Sequence, residues 1–177
     1  MMKLSMILGA VALLAVLSYY GIGLVKAKSL KQVAPTVGQV APAFKATLTG
    51  GKTATLADYK GKNLILVFYP MDNTPGCTIQ LCALRDQWPR LQTLNTSVLG
   101  VNPASLASHE QFAKKQNLPF PLLVDEGRRL AEAYGVGETF GANNRTVIIV
   151  GKAGKVIYRK EGLPPVSEFI TAIEAQN

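Results

Sequence analysis

Six consecutive apolar residues, Leu64 to Tyr69 (LILVFY), stop abruptly at Pro70. A run this short, rich in branched and aromatic side chains, predicts a strand covered on both faces, the central strand of a sheet. Upstream, FKATL alternates with Phe44, Ala46 and Leu48 on one side, Gly50-Gly51 supplies a turn, and TATL predicts a second short strand, so a hairpin opens the domain. Downstream, helical spacing recurs at residues 78–87, 106–116, 129–134 and 167–175, the last behind Pro164-Pro165. Short apolar stretches separate the helices: SVLGV (97–101), LLV (122–124), TVIIV (146–150) and KVIYR (155–159). The turn Gly151-Lys152-Ala153-Gly154 joins the last two as an antiparallel pair. Strands alternating with helices, then a hairpin and a closing helix, predict an α/β fold with a mixed sheet flanked by helices.

The amino end follows another pattern. Between Lys3 and Lys26 lie 22 uncharged, mainly apolar residues, LSMILGAVALLAVLSYYGIGLV. As a helix they would span about 33 Å, enough to cross a bilayer core. Residues 4–25 are therefore expected to meet a membrane, as a single anchoring helix with Tyr19 and Tyr20 near an interface, or as a secretory signal with its small-residue cleavage site at Val25-Lys26-Ala27. The length of the run favours the anchor, and the folded part is expected on the extracytoplasmic side. The expected organisation is residues 1–27 as anchor or signal, 28–42 as a linker interrupted by Pro35, Gly38 and Pro42, and 43–177 as one domain.

Charge narrows the partners. The net +8 includes Lys3, Lys26, Lys28 and Lys31 at the amino end; the remaining 15 basic and 11 acidic side chains are interspersed. The longest basic runs are the pairs Lys114-Lys115 and Arg128-Arg129, which read as solvated helix faces, so nucleic acid is not an expected partner.

The only two cysteines, Cys77 and Cys82, fall in TPGCTIQLC, where the central strand gives way to a helix. Chemistry collects at such junctions. Thr74-Pro75-Gly76 makes the turn, and Cys77 in the first helical turn faces unpaired backbone N–H groups and the positive end of the helix dipole, which favour thiolate over thiol. Five positions along a regular helix would put the Cα atoms of Cys77 and Cys82 roughly 8 to 9 Å apart. A disulfide tolerates no more than about 7 Å, so the pair could bond only after local unwinding. Pro89 is expected to truncate or kink the helix beyond.

These residues resemble the peroxiredoxins. Pro70-x-x-x-Thr74-x-x-Cys77 is similar to their active-site pattern, and TPGCTIQLCALRD to the peroxiredoxin Q, or bacterioferritin comigratory protein, branch. Gly38-x-x-Ala41-Pro42-x-Phe44, the stretch 108–136 and Arg145-Thr146 extend the resemblance over the domain. It implies a thioredoxin-like fold and a peroxidase acting on hydrogen peroxide or alkyl hydroperoxides. Cys77 would attack the peroxide; Thr74, the Cys77 N–H and Arg145 would donate to the reacting atoms, and Pro70 would shield the sulfur. Cys82 would resolve the sulfenic acid as a disulfide, reduced by thioredoxin or a similar dithiol. The resemblance also implies a monomer that needs no metal or organic cofactor.

Blander readings stand beside this one. Two cysteines in an exported chain by themselves suggest a structural disulfide, and a lone Arg145 an ion pair. His109, the sole histidine, is expected at the surface or in a cap, and Trp88 in packing. Gly135-x-Gly137 with Gly141 is a poor phosphate loop because it follows a helix. The rival functions are a membrane-tethered copper-delivery protein on the same fold, for which the cysteine spacing is too wide and a late histidine is missing, and a thiol-disulfide oxidoreductase, for which a C-x-x-C is missing.

Overall fold

The computed structural model describes residues 33–176. Strands β1 (Lys45–Leu48) and β2 (Thr53–Thr55) make the opening hairpin. Strand β3 (Asn63–Phe68) leads into helices α1 (Pro75–Asp86) and α2 (Trp88–Thr93), β4 (Thr96–Asn102) into α3 (Leu106–Lys115), and β5 (Leu122–Val124) into the short α4 (Arg129–Ala133). A two-residue pair, β6 (Glu138–Thr139) and β7 (Ala142–Asn143), precedes the hairpin of β8 (Thr146–Val150) and β9 (Val156–Glu161), and α5 (Val166–Glu174) closes the fold.

Seven strands form one mixed sheet in the order β2-β1-β5-β4-β3-β8-β9. The β3–β4 and β4–β5 pairs are parallel and the rest antiparallel. All six positions of β3 are buried: Leu64 to Phe68 as the unbroken apolar run predicts, and Asn63 with its Nδ2 donating to the Leu94 carbonyl at 3.1 Å. Its alternation sorts the core: Leu64, Leu66 and Phe68 pack with Leu130 and Tyr134 around α4, while Ile65, Val67 and Tyr69 pack with Leu81 and Leu84 of α1, Leu91 of α2, Phe112 of α3 and Phe169 of α5. Period-two side chains thus bind one helix on one face and four on the other.

Pro89 acts as expected. Helix α1 ends at Asp86, and Pro89 lies in the first turn of α2, where a missing N–H costs nothing. The carboxyl end of the stretch expected as a linker is tied to the sheet. Gly38 N–H donates to Val156 O at 2.8 Å, Val156 N–H to Gln39 O at 2.9 Å, and Ala41 N–H to Gly154 O at 2.9 Å. Among the described residues no helix is long and apolar enough to cross a membrane, and the segment 4–25 lies outside them.

Candidate active site

Helix α1 begins beside the end of β3. Thr74 is its N-cap and Pro75 its first residue, so the carbonyl of Thr74 takes the first helical bond, from Thr78 N–H at 2.9 Å. The Thr74 side chain makes no cap bond, which leaves the N–H groups of Gly76 and Cys77 without a partner from the helix. Cys77 is fully buried among Tyr69, Leu81 and Val147, and both cysteines are free thiols.

Arg145 approaches from the start of β8, whose Thr146 pairs with Phe68 at the end of β3. One guanidinium nitrogen, Nη2, donates to Cys77 Sγ at 3.2 Å, and Nη1 donates to Gln80 Oε1 at 3.1 Å. Gly76 makes room for it: a Cβ there would lie 2.7 Å from Arg145 Nη2. Gln80 is one helical turn beyond Cys77, and its buried Nε2 has no partner among the described residues. A cationic fork and a helix amino terminus thus converge on one buried sulfur, an arrangement suited to stabilising negative charge on the sulfur and on an atom it attacks.

The other residues singled out in the sequence lie around this point without all touching it. The Thr74 hydroxyl donates to the Met71 carbonyl at 3.3 Å instead of to the sulfur. Pro70 and Met71 line an open groove of about 280 Å³ with Pro103, Ala104 and Phe140, the last fully exposed at the tip of the β6–β7 turn. Cys82 is half-buried further along α1, its Sγ 3.7 Å from Gln116 Oε1 at the end of α3.

A second polar cluster lies against the site, and it corrects the expectation for His109. The imidazole is fully buried: Nδ1 lies 2.9 Å from Asp72 Oδ2, and Nε2 lies 3.2 Å from the Leu123 carbonyl. Both ring nitrogens face oxygen atoms, which ties the imidazole to the Asp72 loop on one side and to β5 on the other. Asp72 also accepts from Tyr69 Oη at 2.8 Å, Asn102 Nδ2 at 2.9 Å and Ser108 Oγ at 2.7 Å. Burial alone would push the Asp72 carboxyl up, but the hydrogen bonds from His109 and Ser108, the His109 charge and the Tyr69 hydroxyl outweigh it and hold the pKa at about 2. Burial first, and the Asp72 charge second, push the Tyr69 hydroxyl far above the ordinary phenol range, so it stays a donor. The cluster ties the Pro70–Thr74 loop to β4 and α3. One signal could have found it: His109 stands three positions before Phe112, on the same inward face of α3.

Residues 37–159 match the AhpC/TSA family. Peroxiredoxin Bcp of Bacillus subtilis (strain 168) is 40% identical over 128 residues, which cover 68% of this chain and 82% of that protein. The crystal structure of a Cys-to-Ser mutant of Xylella fastidiosa PrxQ gives a TM-score of 0.74 at 27% identity, covering 80% of this chain and 97% of that one. A structure of Xanthomonas campestris bacterioferritin comigratory protein, described for its alkyl peroxide reduction activity, gives 0.70 at 26% identity, covering 75% and 91%. With its thioredoxin-like fold and these relatives, the chain belongs to the AhpC/TSA family, in the peroxiredoxin Q and Bcp branch of thiol-dependent peroxidases.

Proposed function

We propose that Cys77 is the peroxidatic cysteine, Cys82 its resolving partner, and hydroperoxides the substrates. The observation that carries this is the Arg145 guanidinium 3.2 Å from a buried Cys77 sulfur at the start of α1. The Cys77 thiolate attacks one peroxide oxygen in line with the O–O bond. That bond breaks, hydroxide or alkoxide leaves, and the sulfur becomes sulfenic acid. Arg145 and the Cys77 N–H donate to the reacting oxygens, and Thr74 exchanges its bond to Met71 O for one to the peroxide. The apolar groove beside Pro70 and Phe140 suits an alkyl chain as well as hydrogen peroxide.

Cys82 then condenses with the sulfenic acid, and a thioredoxin-like dithiol reduces the disulfide. The enzyme acts as a monomer, with residues 4–25 as its membrane tether and the catalytic domain on the extracytoplasmic side. Copper delivery is disfavoured because the sole histidine is committed to Asp72 and the Leu123 carbonyl. One equivalent of hydrogen peroxide added to the reduced full chain should remove two hydrogens from its mass, and Cys82→Ser should stop at one added oxygen. Peroxide consumption by Cys77→Ser at the wild-type rate would overturn the assignment. Protease accessibility on sealed vesicles tests the side of the membrane.

A further inference from the structure

Gln116 ends α3 and receives two contacts from α1. Its main-chain carbonyl accepts from Arg85 Nη1 at 2.7 Å, and its side-chain Oε1 accepts from the Cys82 thiol at 3.7 Å. Its own N–H returns to Phe112 O at 3.0 Å, so the acceptor is fixed to α3. A carbonyl at a helix carboxyl end lacks a helical partner and sits at the negative end of the dipole, where a guanidinium is a favoured donor. Arg85 is held in this pose by Asp86, whose Oδ1 accepts from its Nε at 2.9 Å.

The peroxide step at Cys77 uses neither contact. Their position matters for the next step, because Cys77 and Cys82 lie on one continuous helix and cannot bond until that helix opens. Opening has to draw Cys82 off Gln116, and Arg85 resists it three residues further on. Leu81 and Leu84, both fully buried, resist it as well, but they belong to the general core; the Gln116 contacts hold the resolving segment itself.

We propose that Arg85 and Gln116 form a clasp that governs how fast Cys82 is released to Cys77, and so how the Cys77 sulfenic acid divides between disulfide and sulfinic acid. This rests on the reading of Cys77 and Cys82 given above. In the first branch the S–O bond breaks and an S–S bond forms; the Cys82 proton leaves with the oxygen as water, and no further oxidant is needed. In the second branch a second peroxide oxidises the waiting sulfenic acid by one more oxygen and leaves as water or alcohol. A tight clasp favours the second branch and a loose one the first.

The experiment follows both steps in the reduced full chain after mixing with hydrogen peroxide. Rapid-quench mass reads added oxygen and lost hydrogen, and the fluorescence of Trp88, immediately beyond α1 and 5.7 Å from the Phe120 ring, reads helix opening. Arg85→Gln should leave the peroxide step unchanged, speed disulfide formation about tenfold, and lower the sulfinic fraction in excess peroxide by a similar factor. Arg85→Lys, which can still donate to the carbonyl, should restore the slower rate. Gln116→Ala removes only the Cys82 acceptor and should speed the same step by a smaller factor, so the clasp stays testable if one variant folds poorly. Disulfide formation that is unchanged or slower in both Arg85→Gln and Gln116→Ala would overturn the clasp while leaving the peroxidase reading intact. A wild-type chain that forms no disulfide at all would overturn both.

Discussion

Replacing Asp72 by Asn keeps the shape of the side chain and removes one buried charge facing four donors: Tyr69 Oη, Asn102 Nδ2, Ser108 Oγ and His109 Nδ1. Those donors hold the carboxyl at about 2, against an ordinary 3.8. The difference corresponds to about 2 kcal/mol of folding stability. Because the folded value lies below the unfolded one, this contribution is complete above about pH 5 and disappears as pH falls through 3.8 toward 2. Urea unfolding followed by Trp88 fluorescence at a series of pH values measures it. Between pH 5 and 2 the wild type should lose about 2 kcal/mol more than Asp72→Asn. The lowered carboxyls of Asp58 and Glu168 and the raised one of Asp125 are present in both proteins and cancel in the difference. At neutral pH the variant should be less stable by about 3 kcal/mol, since an amide N–H₂ would face donors and His109 Nδ1 would lose its carboxylate partner. Parallel pH profiles, or equal stability at neutral pH, would show that the cluster does not hold Asp72 as a carboxylate.

Arg145→Met should lower the second-order rate with hydrogen peroxide about a hundredfold with little change in melting temperature, as stopped-flow and thermal unfolding will show. Gly76→Ala places a methyl 2.7 Å from Arg145 Nη2; the guanidinium should yield and the peroxide rate fall about tenfold, while the helix gains from losing a glycine and the melting temperature holds or rises. Gly135→Ala tests the packing of the amino-terminal segment on the turn after α4. At φ +63° its Cβ would lie 2.1 Å from the Ala34 Cβ and 2.9 Å from the Ala34 Cα, so urea unfolding should show a loss of at least about 2 kcal/mol with the peroxide rate unchanged.

Hydrophobic pattern made the sheet legible because most of its strands are short apolar or alternating runs with turn residues between them. The run 64–69 yields β3 at residues 63–68, and Gly151 to Gly154 is the β8–β9 turn, closed by Gly154 N–H to Gly151 O at 2.8 Å. The β6–β7 pair was not legible, since it depends on a left-handed Phe140 at φ 51° and on a left-handed Arg128 at φ 57° whose guanidinium reaches Asn143 and the carbonyls of Val136 and Gly137. Such positions are set by tertiary contacts and leave no periodic trace. At the site, sequence spacing placed Cys77 and Cys82 on one helix and the resemblance pointed to Arg145, 68 residues further on, whose guanidinium the structure brings to 3.2 Å from the Cys77 sulfur. Gln80 escaped notice although it lies one turn from Cys77, and Asp72 escaped because a polar residue in a loop ordinarily faces water. Here it is nearly sealed from solvent by groups from β4 and α3.

The three main-chain bonds that tie Gly38, Gln39 and Ala41 to the β8–β9 hairpin also have a mechanical meaning. Thr146 pairs with the Cys77 end of β3 and Val150 with its opposite end, so the Gly151–Gly154 turn lies at the pole of the sheet away from the sulfur. A load applied at Val33 would first lift Ala34 from Gly135 and then break the three bonds one at a time, as a seam opens from its end. Once Ala34 has left Gly135, the three bonds would take the tension at that pole, at the end of the sheet opposite the one where Thr146 pairs with Phe68.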